Sequence, residues 1–245
     1  PPVIPPPRKF TAGEPMKLVV TVRNDGKSPV YRLRATTDSE NGYFDKKELV
    51  FGRIDPGQQR VASVPLGGCE VEGRKFGTTK PRPDNAPRVC RIPRDAASRS
   101  DGITVRFEAA GGPAPRPVEI RPTVTALPRP IFKYSYQVSD DRGGNGDGRI
   151  QRGEQARMYL VVQNVGDGRS FDTQANLSNG SGDGVLLRDG RFDLGSMGPG
   201  EVRRVAFRFD VRAGLEGNDA VVMLSVGDRE LREFATEKVK VAVEP

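Results

Sequence analysis

Apolar and polar residues alternate along this chain in short runs of period two. Gly, Pro, Asn or Asp breaks each run. In the C-terminal half the runs are Phe132–Val138, Met158–Val162, Phe171–Leu177, Val205–Val211, Ala220–Val226 and Val239–Val243. Strict alternation puts every second side chain on one face of a strand, and no comparable stretch keeps the 3.6-residue period of a helix. About seven such strands in roughly 100 residues predict an all-β protein, a sandwich of the immunoglobulin or fibronectin type.

The pattern occurs twice. "AGEPMKLVVTVRNDGKSPVYRLRATT" (12–37) lies over "RGEQARMYLVVQNVGDGRSFDTQANL" (152–177) at a constant offset of 140. That offset pairs Gly13 with Gly153, Glu14 with Glu154, Asn24 with Asn164 and Gly26 with Gly166, and it keeps Leu18, Val20 and Val22 in step with Met158, Leu160 and Val162. "FGRIDPGQ" (51–58) then matches "LGSMGPGE" (194–201) at an offset of 143, and "DGITVRF" (101–107) answers "NDAVVML" (218–224). Two tandem immunoglobulin/fibronectin-like β-sandwich domains are therefore expected, 1–128 and 129–245, with the boundary near "LPRP". The Pro-Gly pairs at 56–57 and 199–200 mark tight turns feeding the next strand. The copies differ in two places. The first carries an insertion at about 67–100 that holds "RPDNAPRVCRIPRD"; the second carries an acidic loop, "DDRGGNGDGRIQRGE" (140–154).

Composition narrows the picture. Of 245 residues, 29 are Gly and 21 Pro, spread between the apolar runs as a turn-rich β protein requires. The net charge of +7 is uneven: residues 1–128 hold 22 Lys+Arg against 14 Asp+Glu, and residues 129–245 hold 17 against 18. The basic excess is scattered, without aromatic interleaving, so no nucleic-acid partner is expected. No apolar run approaches the roughly 20 residues of a membrane span. "PPVIPPPRKF" reads as a linker, which makes the chain look like part of something longer.

Cys69 and Cys90 are the two cysteines, and there is no histidine to complete a zinc site with them. Flanking a Pro/Arg-rich insertion, they read as a disulfide worth about 3 kcal/mol on the chain-entropy model. A disulfide would place the protein outside the cytoplasm. The alternative is two buried, unpaired thiols.

Calcium takes six to eight hard oxygens, and a helix-flanked calcium loop supplies them from positions 1, 3, 5, 7, 9 and 12. With Gly148 at position 6, Asn145 is 3, Asp147 is 5, the Arg149 carbonyl is 7, Gln151 is 9 and Glu154 is 12. Position 1 is Gly143, which offers no ligand, so Asp140 or Asp141 must fold back to fill it. The competing reading is a solvated polar turn with Glu154 kept for a strand-start role, because Glu14 follows Gly13 where no acidic loop exists. Asp140, Asp141, Asn145 and Asp147 have no such counterparts, and their crowded charge favours a structural Ca2+.

Histidine-dependent nucleophiles and metal sites are excluded by composition. No G-x-S-x-G elbow or phosphate-binding loop occurs. A Ser–Lys dyad needs no histidine, but lysines such as Lys46 and Lys47 sit in polar, turn-like surroundings. No catalytic residue is assigned, and the chain is read as a non-enzyme.

"LVVTVRNDGKSPV" with "GRIDPGQ" and "GSMGPGE" resembles the bacterial immunoglobulin-like modules called CARDB, and "GNGDG…GE" resembles the calcium loop before the equivalent strand in many of them. The whole chain, including "GRKFGTTKPRP", "CRIPRDA" and "LLRDGRFDLGSMGPGEVRRVAF", resembles the C-terminal region of myxobacterial carboxy-terminal-processing serine peptidases. That resemblance implies a tandem accessory module of a periplasmic, cell-surface or secreted peptidase. It would space or dock the catalytic part, with upstream PDZ and Ser–Lys peptidase domains as its partners. The alternative is an independent adhesion module for a protein or polysaccharide at the cell surface. An insertion left projecting, or an exposed aromatic platform on a sheet face, would favour the alternative.

Overall fold

The computed structural model describes residues 9–71 and 88–244, and the chain divides into two compact units, Pro1–Leu127 and Pro128–Pro245. Both are all-β. Unit 1 contains β1 (Lys9–Thr11), β2 (Met16–Arg23), β3 (Val30–Asp38), β4 (Glu48–Ile54), β5 (Gln59–Leu66), β6 (Gly68–Val71), β7 (Arg88–Arg91), β8 (Arg99–Ser100), β9 (Ile103–Glu108), β10 (Val118–Ile120) and β11 (Thr123–Thr125). One sheet has the order β10-β9-β3-β4; β2 pairs with β5, and β6 with β7. A small sheet, β1-β11-β8, begins with the parallel pair β1 and β11.

Unit 2 contains β12 (Phe132–Ser139), β13 (Gln155–Asn164), β14 (Thr173–Asn179), β15 (Val185–Asp189), β16 (Arg191–Gly195), β17 (Val202–Val211), β18 (Asp219–Asp228) and β19 (Glu233–Ala242). They form two four-stranded antiparallel sheets, β12-β13-β17-β15 and β16-β14-β18-β19. Alternation drives the assembly. On β13, Ala156, Met158, Leu160 and Val162 face inward with no more than 1% exposure; on β18, Ala220, Val222, Leu224 and Val226 do the same. Phe192 and Phe207 meet edge to face across the core at 5.1 Å. Each fully buried Met, Leu, Val or Phe among these contributes roughly 1.5–3 kcal/mol. The unit 1 core is built around Leu33, Phe44, Leu49, Ile54 and Ile103.

The repeat is kept down to ladder register. β2 pairs with β5 from Met16↔Leu66 to Arg23↔Gln59, and β13 pairs with β17 from Ala156↔Phe209 to Gln163↔Val202. Offsets of 140 on one strand and 143 on the other carry the first pairing onto the second, residue for residue. The shared corner is an asparagine. Asn24 Nδ2 donates to the carbonyls of Ser28 and Ile54, both at 2.9 Å, and Asn164 Nδ2 donates to those of Gly168 and Met197, at 2.8 and 3.1 Å. Each asparagine oxygen accepts the N–H of the glycine two residues on. Opposite each lies the Pro-Gly turn, where Gly57 and Gly200 take φ of +75° and +79°, a left-handed conformation that glycine adopts without strain.

Two details depart from the strand pattern. The run read from Phe171 starts as a strand only at Thr173, because the N–H groups of Phe171 and Asp172 donate instead to the carboxylate of buried Asp228. β15 and β16, which follow each other across Gly190, pair in different sheets, β15 with β17 and β16 with β14. Runs of five residues split in this way are too short for a period to declare itself.

Candidate functional site

The acidic loop joins β12 to β13 and is held by carboxylates. Asp140 is 1% exposed; its two oxygens accept the N–H groups of Gly146 at 2.7 Å and Gly148 at 3.2 Å, drawing the loop tip back over it. Glu154 closes the other end. Its Oε2 accepts the Gln151 N–H at 3.0 Å and its Oε1 the Asn145 N–H at 3.0 Å. In unit 1, Glu14 accepts the Thr11 N–H at 2.9 Å, the same bond at the offset of 140. Glu154 therefore keeps the strand-start role of its counterpart with one oxygen and reaches into the loop with the other.

Between these anchors lie Asn145, Asp147 and Gln151. Asp147 Oδ2 accepts from Asn145 Nδ2 and Gln151 Nε2, both at 3.2 Å, and its Oδ1 accepts the Arg149 N–H at 2.9 Å. Asp141 turns away: both its oxygens meet the Tyr159 hydroxyl, the shorter contact at 2.8 Å. The Arg149 guanidinium reaches Glu244 at 3.0 Å. Of the residues singled out as ligands, the fold thus gathers Asp140, Asn145, Asp147 and Glu154, with Gln151 among them, and sends Asp141 elsewhere. Among the described residues, no three acidic, cysteine or histidine side chains converge closely enough to hold a metal ion. The donors are the hard oxygens that calcium takes, but in this arrangement backbone and side-chain N–H groups neutralise them.

In unit 1, Cys69 and Cys90 are joined, at directly opposed positions of the β6–β7 ladder. Gly67 makes the link from β5 possible, because any Cβ there would run into the carbonyl of Arg91. Residues 72–87, the middle of the expected insertion, lie outside the described residues. Lys46 is solvated beside Asp38 and Asp45, at 3.9 and 3.6 Å. Many unit 1 arginines are paired with carboxylates, such as Arg34 with Glu108 at 2.7 Å and Arg106 with Asp38 at 3.1 Å.

One charged cluster escaped the sequence reading. Arg188 on β15, hydrogen-bonded to Asp210 on β17, holds that carboxyl below the usual range, and Arg208 does the same for Asp189. A carboxyl depressed by folding contributes stability above its unfolded pKa of about 4 and loses it as pH falls through the folded value. The urea midpoint of unit 2 should therefore fall on acidification below pH ~4, and Arg188→Ala should flatten that fall; an unchanged slope in the variant would rule out this pair as a source.

No protein-family model and no curated protein matches the chain. Among solved structures, it is similar to red sea bream transglutaminase at 12% identity and a TM-score of 0.35, over 96% of this chain and 30% of that one. It is similar to the Amycolatopsis orientalis exo-chitosanase CsxA at 13% identity and a TM-score of 0.30, over 91% and 25%. A third likeness is to the Pseudomonas aeruginosa CupB2 chaperone, at 12% identity and a TM-score of 0.24, over 96% and 97%. The chain spans under a third of the first two proteins. At these scores the likenesses add nothing to the fold described above.

Proposed function

We propose that this chain is a non-catalytic pair of immunoglobulin-like modules of an exported protein, a carboxy-terminal-processing serine peptidase, serving to space or dock the catalytic part. The observation that carries the exported setting is the Cys69–Cys90 disulfide, since such bonds persist in oxidising compartments. Among the described residues no helix is long and apolar enough to cross a membrane. Support for a module without chemistry of its own comes from the absence of histidine in the sequence. The parentage rests on the sequence resemblance. Its test is the coding sequence upstream of residue 1: PDZ and Ser–Lys peptidase domains are expected there, and their absence overturns this reading.

Calcium belongs to the same proposal. Asp140, Asn145, Asp147, the Arg149 carbonyl and Glu154 would hold the ion, which would stiffen the entry to β13 by cross-linking the loop. A ligand bound only by the folded state adds about 2.7 kcal/mol at a hundred times its Kd. Thermal melts in millimolar calcium should therefore lie above those in EDTA, and Asp147→Ala should abolish the difference. Identical melts of the parent chain in both buffers would leave the loop a polar turn.

A further inference from the structure

The sequence contains three Asn-Gly pairs, Asn41–Gly42, Asn145–Gly146 and Asn179–Gly180, all among the described residues. Such a pair carries the parts of a reaction within itself. The glycine nitrogen attacks the side-chain carbon of the asparagine, and the new C–N bond closes a succinimide ring. The amide nitrogen leaves as ammonia, taking up the proton that the glycine nitrogen gives up. Water then opens the ring to aspartate or isoaspartate. Glycine favours the attack because no Cβ obstructs it. In a folded chain the attack also needs a free glycine N–H, since one already bonded to an acceptor must first leave it.

The side chains do not distinguish the three pairs. Each asparagine forms the same turn, in which Oδ1 accepts the N–H two residues on: that of Tyr43 at 3.1 Å, of Asp147 at 2.9 Å and of Ser181 at 2.7 Å. Each Nδ2 is also donated, from Asn41 to Asp101 at 2.8 Å, from Asn145 to Asp147 and Gln151, and from Asn179 to the Gly182 and Val185 carbonyls. The glycine nitrogens differ. Gly146 donates its N–H to buried Asp140 at 2.7 Å, and Gly180 donates its own to the Val221 carbonyl at 2.9 Å. Among the described residues the Gly42 N–H has no acceptor, and Gly42 is exposed, with open space where a side chain would stand.

The product would sit badly in unit 1. Asp101, which accepts from Asn41, is only 8% exposed, and its other oxygen is held by Arg99. A carboxylate at position 41 turns that donated bond into repulsion between like charges. The Asn41 carbonyl also accepts the N–H groups of Phe44 and Asp45, at 2.8 and 3.1 Å, in the turn that seats fully buried Phe44 in the core. Isoaspartate adds a main-chain carbon at that point and displaces the carbonyl.

We propose that Asn41 is a deamidation site, selected by the fold, at which unit 1 ages with water as the only co-reactant. The proposal stands apart from the parentage and calcium readings. Its test is peptide mapping by mass spectrometry of the folded full chain held in mildly alkaline buffer. Ammonia should be lost at Asn41 about tenfold or more faster than at Asn145 and Asn179, where a hydrogen bond must break first. In urea the three rates should converge. Gly42→Ala should suppress the reaction and keep the turn, because the φ of Gly42 lies outside the left-handed region and a Cβ there meets nothing. Asn41→Asp should lower the hydrogen-exchange protection of the β9 amides and leave that of β18 unchanged. Asn145 or Asn179 reacting first, equal rates in the folded chain, or a ranking that persists in urea overturns the selection by the fold. Unchanged β9 protection in Asn41→Asp overturns the ageing of unit 1.

Discussion

Replacing Asn164 by alanine is expected to destabilise unit 2 by roughly 3–5 kcal/mol, among the largest single-residue effects in the chain. The side chain is fully buried and makes four hydrogen bonds: two donated, to the Gly168 and Met197 carbonyls, and two accepted, from Ile131 and Gly166. Alanine removes all four and leaves the buried Gly168 carbonyl and Gly166 N–H without that partner, while the Met197 carbonyl keeps its bonds from Ser170; such orphaned groups cost about 1–3 kcal/mol apiece before the surroundings relax. Asn24→Ala should cost less, about 2–3 kcal/mol, because Asn24 makes three such bonds at a corner that is 9% exposed. Native-state hydrogen exchange on the β18 and β9 amides would read the two units separately. Equal losses at the two sites would mean that the bond from Ile131 contributes nothing.

Breaking the disulfide should have an effect of similar order, confined to unit 1. Cys69 and Cys90 close a loop of 21 residues, for which the chain-entropy model gives about 3 kcal/mol. The two positions face each other in the β6–β7 ladder, so the bond ties two paired strands. Cys69→Ser with Cys90→Ser, or reduction, should lower the protection of the β9 amides and leave those of β18 as they were. Loss of protection in both units would show that their stabilities are linked.

Legibility in the sequence followed the length of the periodic signal. β13, β17 and β18, ten residues each, show through their alternation, and the offsets of 140 and 143 carry the ladder of one unit onto the other. β15 and β16 were not legible: five residues on either side of a glycine, split between two sheets, give no period to measure. The asparagine pair was visible as a match, but its role depended on carbonyls from segments distant in sequence. In the acidic loop, composition marked the residues without indicating which way they face. Asp140 and Asp141 are adjacent and chemically equivalent; one is buried under the loop and the other is bonded to Tyr159, a choice made by the pleat of the strand before them.

The cross-strand bond also changes what a break in the chain means. If the polypeptide is severed anywhere between Cys69 and Cys90, the two pieces remain one molecule, because the bond lies outside the cut and the strands on either side stay in register. Among proteases, a chain cut there would still keep the β5–β6 and β7 sides of unit 1 together. In such surroundings the disulfide would preserve the integrity of the molecule as well as its stability.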